Sequence, residues 1–189
     1  APCGRWRTTT MIGSVRQSGE TACMTIEGAV NSEVFRVYVR EVLLPTLRPG
    51  DVLVMDNLSA HKDGQALGML KEAGVIARFL PAYSPDYNPI ELMWSKVKSI
   101  LRKIEARTNE ALLLAIGTAL SGVTAKDATH WLAHCGYGFI QNALNKGMAT
   151  RDARKESPDV IYELLCRAIE LRKNGMTHQE VADTLHVSV

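Results

Sequence analysis

The hydrophobic pattern opens with two short runs rich in Thr, Met, Ile and Val, Thr8–Val15 and Thr21–Ile26, on either side of the polar Gln17-Ser18-Gly19-Glu20. That order predicts two antiparallel strands joined by a short turn. Asn31 and Ser32 then offer a helix start, and Val34, Phe35, Tyr38 and Val42 recur at helical spacing. Pro45 limits this helix, and Arg48-Pro49-Gly50-Asp51 marks a turn. Val52-Leu53-Val54-Met55 is a continuous apolar run between turn signals, the pattern of a strand buried on both faces. A helix is predicted from about Lys62 to Ala73, stopped by Gly74, and another strand over Val75–Leu80, closed by Pro81. This β-α-β order calls for an α/β layer structure with a right-handed crossover.

Three prolines, Pro81, Pro85 and Pro89, make the next stretch a loop. Asn88-Pro89-Ile90-Glu91 reads as a helix start, with Asn as N-cap, Pro at the first position and Glu at the third. Ile90, Trp94, Val97, Leu101 and Ile104 then form one apolar stripe. Further helices are predicted over Asn109–Leu120 and Ala125–His134, the latter ending at Gly136. Beyond Tyr137 the composition turns polar, which divides the chain into a main domain (1–137), a linker (138–158) and a helical appendage (159–189). The appendage carries helical patterns at Val160–Lys173 and Thr177–Leu185, parted by Asn174-Gly175.

Composition narrows the class. Of 189 residues, 46% are hydrophobic and 22% charged, with a net charge of +2, which excludes an intrinsically disordered chain. No apolar run nears the roughly 18–20 residues of a membrane span, and no secretion signal is visible, so an intracellular, cytoplasmic location without a membrane partner is expected. Cys3, Cys23, Cys135 and Cys166 are scattered without a C-x-x-C pair and read as idle or buried thiols. A charge of +2 does not identify a nucleic-acid partner; only local clustering can.

Two acids stand where chemistry is expected. Asp56 follows the Val52–Met55 strand, so its carboxylate sits at the carboxyl end, where open α/β sheets bind ligands. Glu91 lies in the first turn of its helix. Two such acids can converge on one divalent cation, and hard oxygen ligands suit Mg²⁺ or Mn²⁺. The plainer alternatives are a turn role for Asp56 with Asn57, and a capping-box role for Glu91 at the Asn88 amide.

The surrounding words, Val-Met-Asp-Asn-Leu-Ser-Ala-His (54–61), Leu-Pro-Ala-Tyr-Ser-Pro-Asp-Tyr-Asn-Pro-Ile-Glu (80–91) and Trp-Ser-Lys-Val-Lys (94–98), resemble the catalytic domain of DDE transposases. The bacterial insertion-sequence branch of the mariner superfamily is the nearest likeness. It covers about Arg5 to Tyr137 and includes Trp-Arg-Thr-Thr-Thr (6–10), Pro-Thr-Leu-Arg-Pro-Gly-Asp (45–51) and His-Cys-Gly-Tyr (134–137). The resemblance implies an RNase H-like mixed sheet flanked by helices, two-metal cutting and joining of DNA ends, and a nucleoid-associated bacterial protein. It makes Asp56 the second catalytic acid and Glu91 the third. The family's first acid lies on a strand preceding the segment matched by Trp6, and this sequence begins after it. Loss of that strand and ligand implies impaired strand cleavage and strand transfer unless an upstream polypeptide supplies the missing strand, and the exposed strand edges predict instability, strand exchange or association into a homo-oligomer. A non-catalytic DNA-binding remnant or regulator of transposition is the alternative, and a structural fragment that ignores DNA a third.

Lys96, Lys98, Arg102 and Lys103 follow Glu91 on its helix, with Lys98 and Arg102 roughly on its face. They are candidates for holding DNA phosphates, against the plain reading of a solvated helix face. His61 is a candidate substrate contact or a helix cap. His130 and His134, four apart beside Cys135, read as structural, and Trp6, Trp94 and Trp131 as core anchors. Thr177 with Glu180 opens a pattern resembling the first half of a helix-turn-helix, or else a helical hairpin.

Overall fold

The computed structural model describes residues 8–137, 163, 166, 167, 170, 171 and 174–185. Trp6, Cys3 and the expected 138–158 linker lie outside them. The architecture is mixed α/β, and the chain divides into two compact units. One comprises residues up to Val15 with Thr21–Phe79; the other comprises Arg16–Glu20 with the residues from Leu80 on.

In the first unit, β1 (Thr9–Val15) pairs antiparallel with β2 (Thr21–Glu27), in register from Thr9 opposite Glu27 to Val15 opposite Thr21. α1 (Ser32–Tyr38) begins as expected, with the Asn31 side chain accepting from the Val34 amide at 2.9 Å. Its end differs from a simple helix. A π-helical turn over Val39–Leu43 is closed by the Leu44 amide donating to the Val39 carbonyl, and a 3-10 turn over Leu44–Thr46 follows. Pro45 has no N–H with which to continue the regular ladder. The wider turn brings Val39 and Leu43 into the core with Phe35 and Tyr38, whereas Val34 and Val42 are only half-buried. The Tyr38 hydroxyl donates to the Ala22 carbonyl at 2.9 Å, and burial pushes its pKa well above the ordinary value.

β3 (Val52–Met55) and β4 (Ile76–Phe79) are parallel, with α2 (Gly64–Glu72) between them in sequence. This is the expected β-α-β order, but α2 starts later than about Lys62. Ser59–Lys62 forms a separate 3-10 turn, and the Asp63 carboxylate caps α2 by accepting from the Ala66 amide at 2.9 Å. At the other end Gly74 (φ 73°) donates to the Lys71 carbonyl and Val75 to the Leu70 carbonyl, a Schellman stop. β3 is not buried on both faces. Val52 is 44% exposed, and β3 pairs only with β4 among the described residues. The described strands thus form two separate two-stranded sheets, an arrangement compatible with an RNase H-like DDE fold. Both pack on one core of Ile12, Phe35, Tyr38, Val39, Leu43, Met55, Ala66, Leu70 and Val75.

The second unit is helical. α3 (Pro89–Ile104) packs against α4 (Asn109–Ser121) and α5 (Ala125–Leu132). The α3 stripe is rotated from the expected one: Met93 and Val97 are fully buried, Ile90, Trp94 and Leu101 half-buried, and Ile104 exposed. In α4, α5 and the turn after α5, Ala115, Ile116, Ala119, Ala128, Trp131 and Cys135 are buried. Thr108 caps α4, and Thr124 with Asp127 forms a full capping box on α5. α5 gives way to a π-helical turn, Ala133–Tyr137, around Gly136 at φ 90°. In the tail, α6 (His178–Leu185) has the expected Thr177–Glu180 capping box, and Val181 is buried. The Ala182 and Leu185 side chains lie outside the description. Among the described residues no single helix is long and apolar enough to cross a membrane.

Candidate functional site

Asp56 is the first residue after β3, so the parallel pair fixes its backbone while its side chain remains half exposed. Its Oδ1 accepts from the Leu58 amide at 3.0 Å, the local turn expected of an Asp at this position. The same oxygen lies 2.7 Å from His61 Nδ1. That approach is too oblique for a hydrogen bond, so the buried Nδ1 has no hydrogen-bond partner among the described residues. The contact is therefore electrostatic, and it attracts when Nδ1 carries the hydrogen. The His61 ring is 17% exposed and rests on Phe35, with ring centroids 4.6 Å apart. A turn role and an accessible carboxylate thus coexist in Asp56, since Oδ2 takes no protein donor among the described residues.

The neighbouring Asp63 is braced rather than free. Arg36 Nε donates to Oδ1 at 3.1 Å and its NH2 group to Oδ2 at 2.8 Å. With the Ala66 amide, this guanidinium holds the Asp63 carboxyl at about 2, well below its usual range. The fork joins α1 to the cap of α2, and so supports the turn that carries His61. Nothing in the spacing of Arg36 and Asp63, 27 residues apart, signals that pairing.

In the second unit Glu91 sits in the first turn of α3 with its side chain exposed. The capping-box alternative is not formed. The Asn88 side chain makes no cap hydrogen bond, and the Asn88 amide donates to the Pro85 carbonyl at 2.9 Å. Glu91, Lys98 and Arg102 share one exposed stripe of α3, and Lys103 is exposed beside it. None of the three cations has an ion-pair partner among the described residues. Lys96 differs: its Nζ meets Asp127 Oδ2 at 2.5 Å, both side chains about one-third exposed or less. Lys96, helped by Thr124, depresses the Asp127 carboxyl to about 2. The Thr-x-x-Asp capping signal was present in the sequence; its partner on α3 was not.

The remaining candidates are placed simply. His130 and His134 are exposed, with Trp131 and Cys135 buried between and beside them. Burial raises the Cys23 and Cys135 thiols to about 11, so both are inert at neutral pH. No group of three or more His, Cys, Asp or Glu side chains among the described residues is close enough to hold a metal ion. In donor chemistry, though, the accessible carboxylates of Asp56 and Glu91 are hard oxygens of the kind Mg²⁺ or Mn²⁺ takes.

These features define a class: an α/β protein with one exposed acid where a parallel strand ends and another where a helix begins. The family model described as DDE superfamily endonuclease matches residues 1–113, and the chain belongs to that family. Membership supports a DDE transposase-type domain with a transposase-like nuclease function and a DNA substrate; nucleases of this superfamily generally use divalent metals. None of the curated proteins compared with the chain matches it.

Proposed function

We propose that the chain is a transposase of the bacterial insertion-sequence branch of the mariner superfamily, acting in DNA cleavage and strand transfer. In this reading Asp56 and Glu91 are the second and third catalytic acids and hold Mg²⁺ or Mn²⁺. A divalent cation held there supplies Lewis acidity to the attacking and leaving oxygens of a phosphodiester. The chain's own side chains do the rest. Asp56 presents Oδ2 while Leu58 and His61 fix Oδ1, and Glu91 presents a carboxylate free of capping duty. His61 borders the substrate beside Asp56. Lys98, Arg102 and Lys103 hold phosphates, while Lys96 is committed to its Asp127 pair.

The observation that carries this reading is Glu91: a first-turn acid whose amide-capping alternative is unmade, in a chain that belongs to the endonuclease family. The two small sheets are read as parts of one RNase H-like sheet, and α6 as the first helix of a helix-turn-helix. Asp56 and Glu91 are two of the three acids in this reading, so cleavage is slow unless a strand bearing the first acid completes the site. The test is nicking of supercoiled DNA with and without Mg²⁺ or Mn²⁺. Slow, metal-dependent nicking abolished in both Asp56→Asn and Glu91→Gln is expected; nicking unaffected by either substitution contradicts the assignment. A DNA-binding regulator, the second reading, retains affinity with no metal-dependent cleavage at all.

A further inference from the structure

Tyr83 is 99% exposed, the most exposed of the large apolar side chains among the described residues, and its backbone lies in the left-handed region at φ 56°. A tyrosine gains nothing there: the left-handed region disfavours any residue with a Cβ, and full exposure forfeits the burial of an aromatic ring. The loop around it is nevertheless well held. Leu80 and Ser84 on either side are buried, and Ser84 Oγ donates to the Ala82 carbonyl at 3.3 Å. The Tyr87 amide donates to the Ser84 carbonyl, and the Tyr137 hydroxyl to the Tyr87 carbonyl at 3.1 Å. Pro81 and Pro85 stiffen the chain further. A fixed loop thus projects a strained, solvent-facing ring eight positions before Glu91, in the unit that bears the exposed Lys98, Arg102 and Lys103.

We infer that Tyr83 is a base-stacking residue, whose ring receives an unpaired or splayed nucleobase of the DNA substrate. The inference rests on the nuclease reading above and adds a contact that reads the base face rather than the backbone. The cations name a polyanion, and the ring supplies the flat apolar surface that every base can cover. The strain has a use in this arrangement, because it aims the ring outward without requiring any contact inside the protein.

The experiment measures binding to a short DNA duplex with an unpaired end carrying a fluorescent base analogue, in buffer without divalent metal. Tyr83→Asn removes the ring but tolerates the left-handed backbone, so its melting temperature is expected to equal or exceed that of the wild type. Its affinity for the DNA is expected to fall about 5- to 150-fold, the equivalent of about 1–3 kcal/mol of stacking. Tyr83→Phe keeps the ring, the affinity and the quenching of the analogue. Equal affinity and quenching in Tyr83→Asn and wild type overturn the stacking role alone. No binding of this DNA by the wild-type chain overturns the nuclease reading and the stacking role with it.

Discussion

The four cations of α3 are not equivalent, and salt dependence separates them. Lys98 and Arg102 are exposed and unpaired among the described residues, whereas Lys96 is committed to Asp127 at 2.5 Å. Each phosphate contact contributes about 0.9 to the slope of log affinity against log salt on duplex DNA. Neutralising both residues in Lys98→Gln/Arg102→Gln therefore lowers the slope by about 1.8. Between about 50 and 200 mM salt the double variant then loses about 12-fold less affinity than the wild type. Lys96→Gln behaves differently: the slope stays near the wild-type value, and stability falls by about 1 kcal/mol or less as Asp127 loses its partner. Fluorescence anisotropy across a salt series gives the slopes, and urea melts give the stabilities. A slope lowered as much by Lys96→Gln as by Lys98→Gln would contradict the distinction, and a double variant with an unchanged slope would show the stripe to be only a solvated face.

Other outcomes follow from the fold. Leu70→Ala empties a fully buried position between α2 and the first unit's core and is expected to cost about 2–5 kcal/mol in a urea melt, unless the site collapses. Gly19→Ala forces a positive-φ residue to carry a Cβ 2.5 Å from the Ala125 amide nitrogen and 2.6 Å from the Thr124 carbonyl carbon. Both neighbours are backbone, so a melting temperature lowered by several degrees is expected, and an unchanged one would show that the turn moves freely. Asp63 and Asp127 are held at about 2 against an ordinary 3.8. A depressed carboxylate stabilises fully above its unfolded pKa, so this contribution is complete above about pH 4–5 and fades as pH falls toward about 2. Urea midpoints measured down that range should drop, and less steeply in Asp127→Asn.

Much of the fold was legible because its signals are local. Asn31, Thr108 and Thr124 start their helices, Gly74 stops α2, and the run around Ser18-Gly19 turns the hairpin, each within a few residues. What escaped depends on neighbours far along the chain. Val52 reads as core from its apolar run, yet the burial of a strand depends on how many strands flank it. The face that α3 buries is set by the packing of α4 and α5 against it, so Met93 is buried while Ile104 is exposed. The late start of α2 comes from Asp63, which serves the Ala66 amide and Arg36 together. At the site, Asp56 and Glu91 could be singled out by position, but the loosening of Glu91 from its cap and the tying of Lys96 to Asp127 arise only when the chain is folded.

Replacing the proposed cation with Fe²⁺ and adding ascorbate and peroxide cuts the polypeptide wherever the metal is held. Backbone cleavage near both Asp56 and Glu91, lost at both places in either Asp56→Asn or Glu91→Gln and competed away by Mg²⁺, is the expected result. Cleavage near one acid that persists when the other is replaced, or none near either, would contradict a cation shared by the two.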